Sequence, residues 1–122
     1  MKFDTIIIGG GLSGLVCGIK LAQQGERCVI VSSGQSALHF SSGSCDLLNA
    51  LPDGTAVDNP LSALPDLIKQ MPNHPYAKLG IDGFARFVSD AEIFFTNVGL
   101  PMFGCGDANH YRITPMGTLK PT

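Results

Sequence analysis

TIIIGGGLSGLVCG, residues 5–18, is a run of β-branched residues that ends in three glycines and continues into apolar residues at helical spacing. Residues 3–8, FDTIII, show no alternation of apolar and polar side chains at the isoleucines. That pattern predicts a strand buried on both faces, as in the middle of a parallel sheet. After the glycines, Leu12, Leu15, Val16, Ile19, Leu21 and Ala22 predict a mostly apolar helix. It ends near Gly25, a residue suited to a left-handed C-terminal cap. Residues 27–33, RCVIVSS, predict a second buried strand. The three elements make a β-α-β unit of about 30 residues, and the right-handed crossover rule makes its strands parallel neighbours.

Gly9, Gly11 and Gly14 fit the spacing G-x-G-x-x-G. The first glycine of such a motif permits the tight turn, the second lets the backbone approach a pyrophosphate, and the third lets helix and strand pack closely. Free N–H groups at the helix start, with the helix dipole, favour phosphate. Alone the motif is a weak signal. Between a buried strand and a helix, with a second strand following, it is a strong one, and it sets aside a ligand-free glycine turn. The fold class expected is therefore α/β: a Rossmann-like FAD/NAD(P)-binding fold whose N-terminal βαβ unit belongs to a parallel sheet, with additional helices. One expected residue is missing. An acidic side chain at the end of the second strand normally holds the ribose hydroxyls, whereas here Ser32 and Ser33 stand there. Glu26 lies before the strand, at its wrong end, and no arginine follows Ser32 until Arg86 to favour a 2′-phosphate. A serine can still hydrogen-bond a ribose. The candidate cofactor-binding residues of this stretch are Gly9, Gly10, Gly11, Leu12, Ser13, Gly14, Ser32 and Ser33.

Composition narrows the function classes. The 122 residues are 44% hydrophobic and 15% charged with a formal charge of −2, and no basic cluster exists to hold nucleic acid or an anionic membrane. The longest apolar run is interrupted by the turn glycines and is no membrane span. Asp4 interrupts the basic leader of a signal peptide and no small-residue cleavage site follows, so the expected location is cytoplasmic. Cys17, Cys28, Cys45 and Cys105 form no C-x-x-C pair and lie near no histidine at zinc-ligand spacing, so no metal is expected. Cys17 and Cys28 fall on apolar periodic positions and read as buried thiols.

Beyond the βαβ unit, residues 34–55 are rich in Ser and Gly, with CDLLNAL (45–51) readable as one or two helical turns. Leu61, Leu64, Ile68 and Met71 have helical spacing, and Pro65 requires that helix to begin near it or to kink. NHPYAKLG (73–80) reads as a connector containing His74. Residues 82–98 predict a helix with Asp82 as N-cap and a core stripe of Phe84, Phe87, Val88, Ala91, Phe94, Phe95 and Val98. HYRITPMG (110–117) predicts a short strand, and the Pro- and Thr-containing end gives the expectation of a fragment of a longer protein. The expected organisation is a dinucleotide-binding unit over 1–34, a Ser/Gly-rich cofactor-side loop over 35–59, and a helical insertion leading to a second region over 60–122.

The segment GQSALHFSSGSCDLLNALPDG (34–54) is more distinctive than the glycines. With FDTIIIGGGLSGLVCG, HPYAKL and RITPMGTL it resembles the B subunits of anaerobic glycerol-3-phosphate dehydrogenases, in patches from Lys2 to about Leu119 and best over residues 3–54. The triple glycine, with Asp4 at the mouth of the strand and Gly18 four residues after Gly14, also resembles the flavoprotein form of the motif. The resemblance implies a quinone-linked enzyme converting sn-glycerol 3-phosphate to dihydroxyacetone phosphate, with electrons passing toward fumarate or nitrate in anaerobic growth. It implies a catalytic A subunit carrying FAD and the substrate site, and an iron–sulfur C subunit holding the pair at the inner face of the cytoplasmic membrane. The B subunit in such enzymes is usually assigned FMN, while a pyrophosphate fingerprint suits FAD. Both flavins stay open. His39, Ser41, Ser42 and Gly43 follow the second strand, near the sheet edge where ligands bind, and join the cofactor-binding candidates. No catalytic acid or base is assigned. A nicotinamide-dependent oxidoreductase and a non-catalytic scaffold are the alternatives.

Overall fold

The computed structural model describes all 122 residues, which form two compact units, Met1–Ser44 and Cys45–Thr122. The first contains β1 (Thr5–Ile8), α1 (Leu12–Gln23) and β2 (Cys28–Val31). β1 and β2 pair in parallel, with Ile6 opposite Val29 and Ile7 opposite Ile30. The βαβ unit expected from the glycine-bounded apolar runs is present, and the α/β class holds. α1 lies so close to the sheet that a Cβ on Gly18 would stand 3.1 Å from Ile30 Cδ1 and 3.4 Å from Ile7 Cδ1. Gly18 is the buried residue of the helix.

α1 ends as its sequence predicts. Gly25 has φ +88°, its N–H bonds to Ala22 O, and the Glu26 N–H bonds to Leu21 O. This pair of bonds closes the last helical turn around a left-handed glycine. The reading of Cys17 and Cys28 as buried thiols needs correction, because Cys17 is exposed and Cys28 half-buried. Adjacent helical residues sit about 100° apart. With Gly18 against the sheet, Cys17 sits to one side of that contact, exposed. Burial raises the Cys28 thiol above its ordinary value, with the Glu26 carboxylate adding to the effect.

The second unit packs α2 (Pro60–Gln70), α3 (Pro75–Leu79) and α4 (Ile81–Asn97) around Leu64, Leu67 and Phe84, with Leu47, Leu48, Leu51, Leu61, Tyr76 and Val88 against that cluster. α2 begins at Pro60, where the Asn59 carboxamide accepts from Ser62 N, and it continues through Pro65. It does not begin at Pro65. The segment read as a connector contains α3, capped by His74 Nδ1 accepting from Tyr76 N. α4 starts at Gly80 rather than at an Asp82 cap, because Gly80 at φ +73° ends α3 and opens α4 in one residue. Asp82 falls in the first turn, where a carboxylate suits the helix dipole.

The predicted phenylalanine stripe is core only at its start. Phe84 is buried against Tyr76, ring centroids 4.4 Å apart, but Phe87 is 52% exposed. The contacts of α4 with the buried cluster run no further than Val88. CDLLNAL is not helical. Leu47 O instead accepts from Tyr76 Oη and Leu48 O from Asn109 Nδ2, so these carbonyls are spent on distant partners. The strand expected in HYRITPMG is β3 (Tyr111–Ile113), paired antiparallel with β4 (Leu119–Pro121) across a turn holding Gly117 at φ +77°.

At the N-terminal end of β1, Arg27 Nη2 meets Asp4 Oδ1 at 3.0 Å and Arg27 Nε meets Oδ2 at 3.1 Å, while Arg27 N also donates to Oδ2. The Arg27 side chain, first, and its backbone N–H hold the Asp4 carboxyl below its ordinary value. A depressed carboxylate pKa favours the folded state above the ordinary carboxylate range, and the contribution is lost as pH falls through the folded pKa. Arg27→Ala should therefore return the Asp4 carboxyl toward about 3.9, read by carbon-detected NMR titration. An Asp4 titration unmoved by the substitution contradicts the pairing.

Candidate functional site

The glycine turn joins the C-terminal end of β1 to the N-terminus of α1, and each of its glycines meets a different constraint. Gly9 has φ +113°, a conformation that side chains other than hydrogen rarely adopt. Its N–H donates to Val31 O at 2.8 Å, which ties the start of the turn to the end of β2. Gly14 has no such backbone demand. A Cβ there would lie 2.1 Å from Gly9 O, so the third motif glycine exists to let the first turn of α1 rest on the turn itself. Gly10 is bounded by Ser32: a Cβ would stand 2.8 Å from Ser32 Oγ.

Gly11 is the exception. Its φ of −75° is open to any residue, and a Cβ would meet nothing within 4 Å. Nothing in residues 1–122 requires glycine there. The remaining explanation lies in what approaches the turn from outside, and the second motif glycine is where a pyrophosphate needs bare backbone. Gly11 is also the N-cap of α1, with no side chain capping that end and no acidic residue in the first turn. The first N–H groups of a helix lack intrahelical partners, so those at Gly11, Leu12 and Ser13 are available to an anion, with the dipole favouring it. The open space at Gly11 and the uncapped helix end fit the diphosphate of a dinucleotide.

The structure brings Gly9, Gly10, Gly11, Leu12, Ser13, Gly14 and Ser32 together around one end of the two-stranded sheet. Ser33 follows Ser32 and is exposed. His39 lies in a short 3-10 turn, Ala37–Phe40, capped by Ser36 Oγ accepting from Leu38 N. Its ring stands edge-on to Phe40 at 4.9 Å. Ser41 Oγ accepts from Gly43 N at 3.1 Å, and the Ser42 and Ser44 hydroxyls are 2.8 Å apart. These bonds give the loop a local fold of its own. As cofactor contacts, His39, Ser41, Ser42 and Gly43 remain a proposal.

Two acidic residues lie away from the glycine turn, Glu26 at the wrong end of β2 as its sequence position predicts. Asp4, read beside the flavoprotein motif, lies at the far end of β1 from the glycine turn, engaged with Arg27. Glu26 sits at that same far end, accepting from Thr5 Oγ1 at 2.6 Å. What sequence alone did not show is the contact between Gly10 and Ser32, because the two are joined only when β2 lies beside β1. No group of three or more His, Cys, Asp or Glu side chains is placed to hold a metal ion, and no helix is long and apolar enough to cross a membrane.

The model of the FAD binding domain family matches residues 4–122. Among curated relatives, the chain is 57% identical over its whole length to the B subunit of an anaerobic glycerol-3-phosphate dehydrogenase from Yersinia pestis, covering 29% of that protein. It is 49% identical over 98% of its length to the protein of that name in Pectobacterium atrosepticum, again covering 29% of it. A third, from Actinobacillus pleuropneumoniae, is 48% identical over the whole chain, which covers 28% of it. The chain thus spans less than a third of the length of these relatives. No solved structure matches it.

The different constraints on Gly11 and Gly14 separate ligand from fold. In the full-length protein stripped of cofactor, Gly11→Ala should cost under about 1 kcal/mol of stability, the scale of an N-cap change. Gly14→Ala should cost about 3 kcal/mol or more, at the upper end of overpacking penalties. Urea unfolding measures both. Equal losses would mean that Gly11 too is a packing residue.

Proposed function

The chain belongs to the FAD binding domain family, and from that membership we propose that it forms the pyrophosphate-binding part of a flavin-linked dehydrogenase acting in the oxidation of sn-glycerol 3-phosphate to dihydroxyacetone phosphate. The observation that carries the nucleotide reading is Gly11, bare backbone without a protein neighbour at an uncapped helix N-terminus. The substrate comes from the names of the relatives, which also mark them as one component of a multi-subunit enzyme. The names carry no more than that; the family resemblance of the sequence extends the proposal to a catalytic A subunit, an iron–sulfur C subunit at the inner face of the cytoplasmic membrane, and electrons passed to a quinone and on to fumarate or nitrate.

FAD is favoured over FMN on physical grounds. FMN ends at a single phosphate, whereas the glycine turn offers successive backbone N–H groups across the start of α1, a length suited to a diphosphate. When bound, the flavin would supply a redox centre that accepts the electrons removed from the substrate and hands them on. The chain's own residues do the holding. Gly9 turns the backbone at the end of β1, and Gly14 seats α1 against that turn. The N–H groups at Gly11, Leu12 and Ser13 face the diphosphate. Leu12, whose side chain is apolar, contributes only its backbone N–H. His39, Ser41, Ser42 and Gly43 are placed by this reading on the cofactor side of the loop after β2.

Flavin released by heating the full-length protein and separated chromatographically should be FAD at close to one per chain. Gly11→Asp, which sets a carboxylate against the diphosphate, should reduce that occupancy to less than about a tenth, an affinity loss of about 80-fold or more and a cost of about 2.6 kcal/mol or more. A colourless protein that cannot be reconstituted with either flavin would sink the proposal, as would undiminished FAD in Gly11→Asp.

A further inference from the structure

The hairpin of β3 and β4 is open along one edge and on one face. In an antiparallel ladder, residue pairs that exchange main-chain hydrogen bonds alternate with pairs whose N–H and C=O point away from the partner strand. His110 and Thr122 exchange both bonds, at 2.9 and 2.8 Å, and Thr114 N donates to Thr118 O at 2.8 Å. Arg112–Lys120 is therefore the bonded pair between them, and Tyr111–Pro121 and Ile113–Leu119 are the outward pairs. The N–H and C=O groups of Tyr111 and Ile113 thus line the outer edge of β3 with no main-chain partner. The outer edge of β4 differs. Pro121 has no N–H to offer there, a common way of closing an edge strand to pairing.

The two faces are equally unlike. Residues directly opposite across a strand pair share a face. Tyr111, Ile113, Leu119 and Pro121 therefore lie together, with Ile113 and Leu119 77% and 67% exposed. The other face carries Arg112 and Lys120, and Lys120 pairs with Asp46 of the same unit. A lone two-stranded hairpin is marginal in water, and a third strand sharing an apolar face makes it stable. We propose that the outer edge of β3 receives a third strand from the part of the full-length polypeptide outside residues 1–122, with apolar side chains at alternate positions beside Tyr111 and Ile113. The chain covers 29% of its relatives, so most of each lies outside the matched stretch. A three-residue edge is too small to hold a second copy or another protein by itself, since a stable interface buries about 800 Å² on each partner. A segment of the same polypeptide docks without that cost of association.

Hydrogen exchange of the full-length protein, read residue by residue, tests this without a substitution. The amides of Tyr111 and Ile113 bond to no main-chain group within residues 1–122. They should nevertheless exchange at least about a hundredfold more slowly than in an unstructured peptide. Fast exchange at both overturns the proposal, and so does protection confined to Leu119, on the edge that carries Pro121. The occupant is identified by replacing the exposed Tyr111 with p-benzoylphenylalanine and irradiating. A paired strand lies about 5 Å away, so position 111 should cross-link to a residue of the same polypeptide outside 1–122. A link to a second copy, seen as a doubled mass, or to another protein overturns the proposal, as does the absence of any link.

Discussion

The contact on which the nucleotide-binding unit depends is the approach of α1 to the backbone of Gly9. With only hydrogen on Gly14, the helix sits where a methyl group would overlap the Gly9 carbonyl oxygen, 2.1 Å away. Gly18, one turn on, continues the close approach against Ile7 and Ile30. These two absences of a side chain aim the start of α1, and with it the free N–H groups, at the space beyond the end of β1. The proposed anion site is thus a by-product of packing. Van der Waals contact sets the helix direction, and the unpaired amides follow from any helix start.

The uncovered apolar surface of this unit agrees with its membership of a longer protein family. Ile7 lies under α1, but Ile6 and Ile8, on the other face of β1, are 64% and 80% exposed. Their opposite numbers on β2 are Val29 and Val31. Four β-branched residues on one sheet face are what a parallel sheet covered on both sides requires, and Met1–Ser44 supplies a cover for one side. The relatives are more than three times as long as the matched segment, at 29% coverage.

How far the sequence carried the structure depended on the range of the interactions. Elements set by local chemistry were legible: an isoleucine run, a glycine motif, and Gly25 at the helix end. The fold class followed from them. Where tertiary contacts compete with local preference, local pattern does not predict the structure. CDLLNAL has helical composition, yet Leu47 and Leu48 give their carbonyls to Tyr76 and Asn109, 29 and 61 residues away. α3 is invisible to periodicity because it has only five residues; its signals are His74 before Pro75. Asp82 was a sound cap in isolation, but Gly80 had already set the helix start. In the site, the motif marked Gly9, Gly11 and Gly14 alike, and only the geometry gave them separate reasons. Gly10 and Ser32 were both singled out, but not as neighbours, since 22 positions separate them and strand pairing joins them.

The central claim is that bare backbone at Gly11 faces the cofactor diphosphate. A crystal structure of the full-length protein with bound flavin tests it most directly. The account predicts diphosphate oxygens within about 3 Å of the N–H groups at Gly11 and Leu12 or Ser13, the normal range of N–H···O bonds. A flavin bound elsewhere, with the start of α1 facing water or another protein segment, contradicts it.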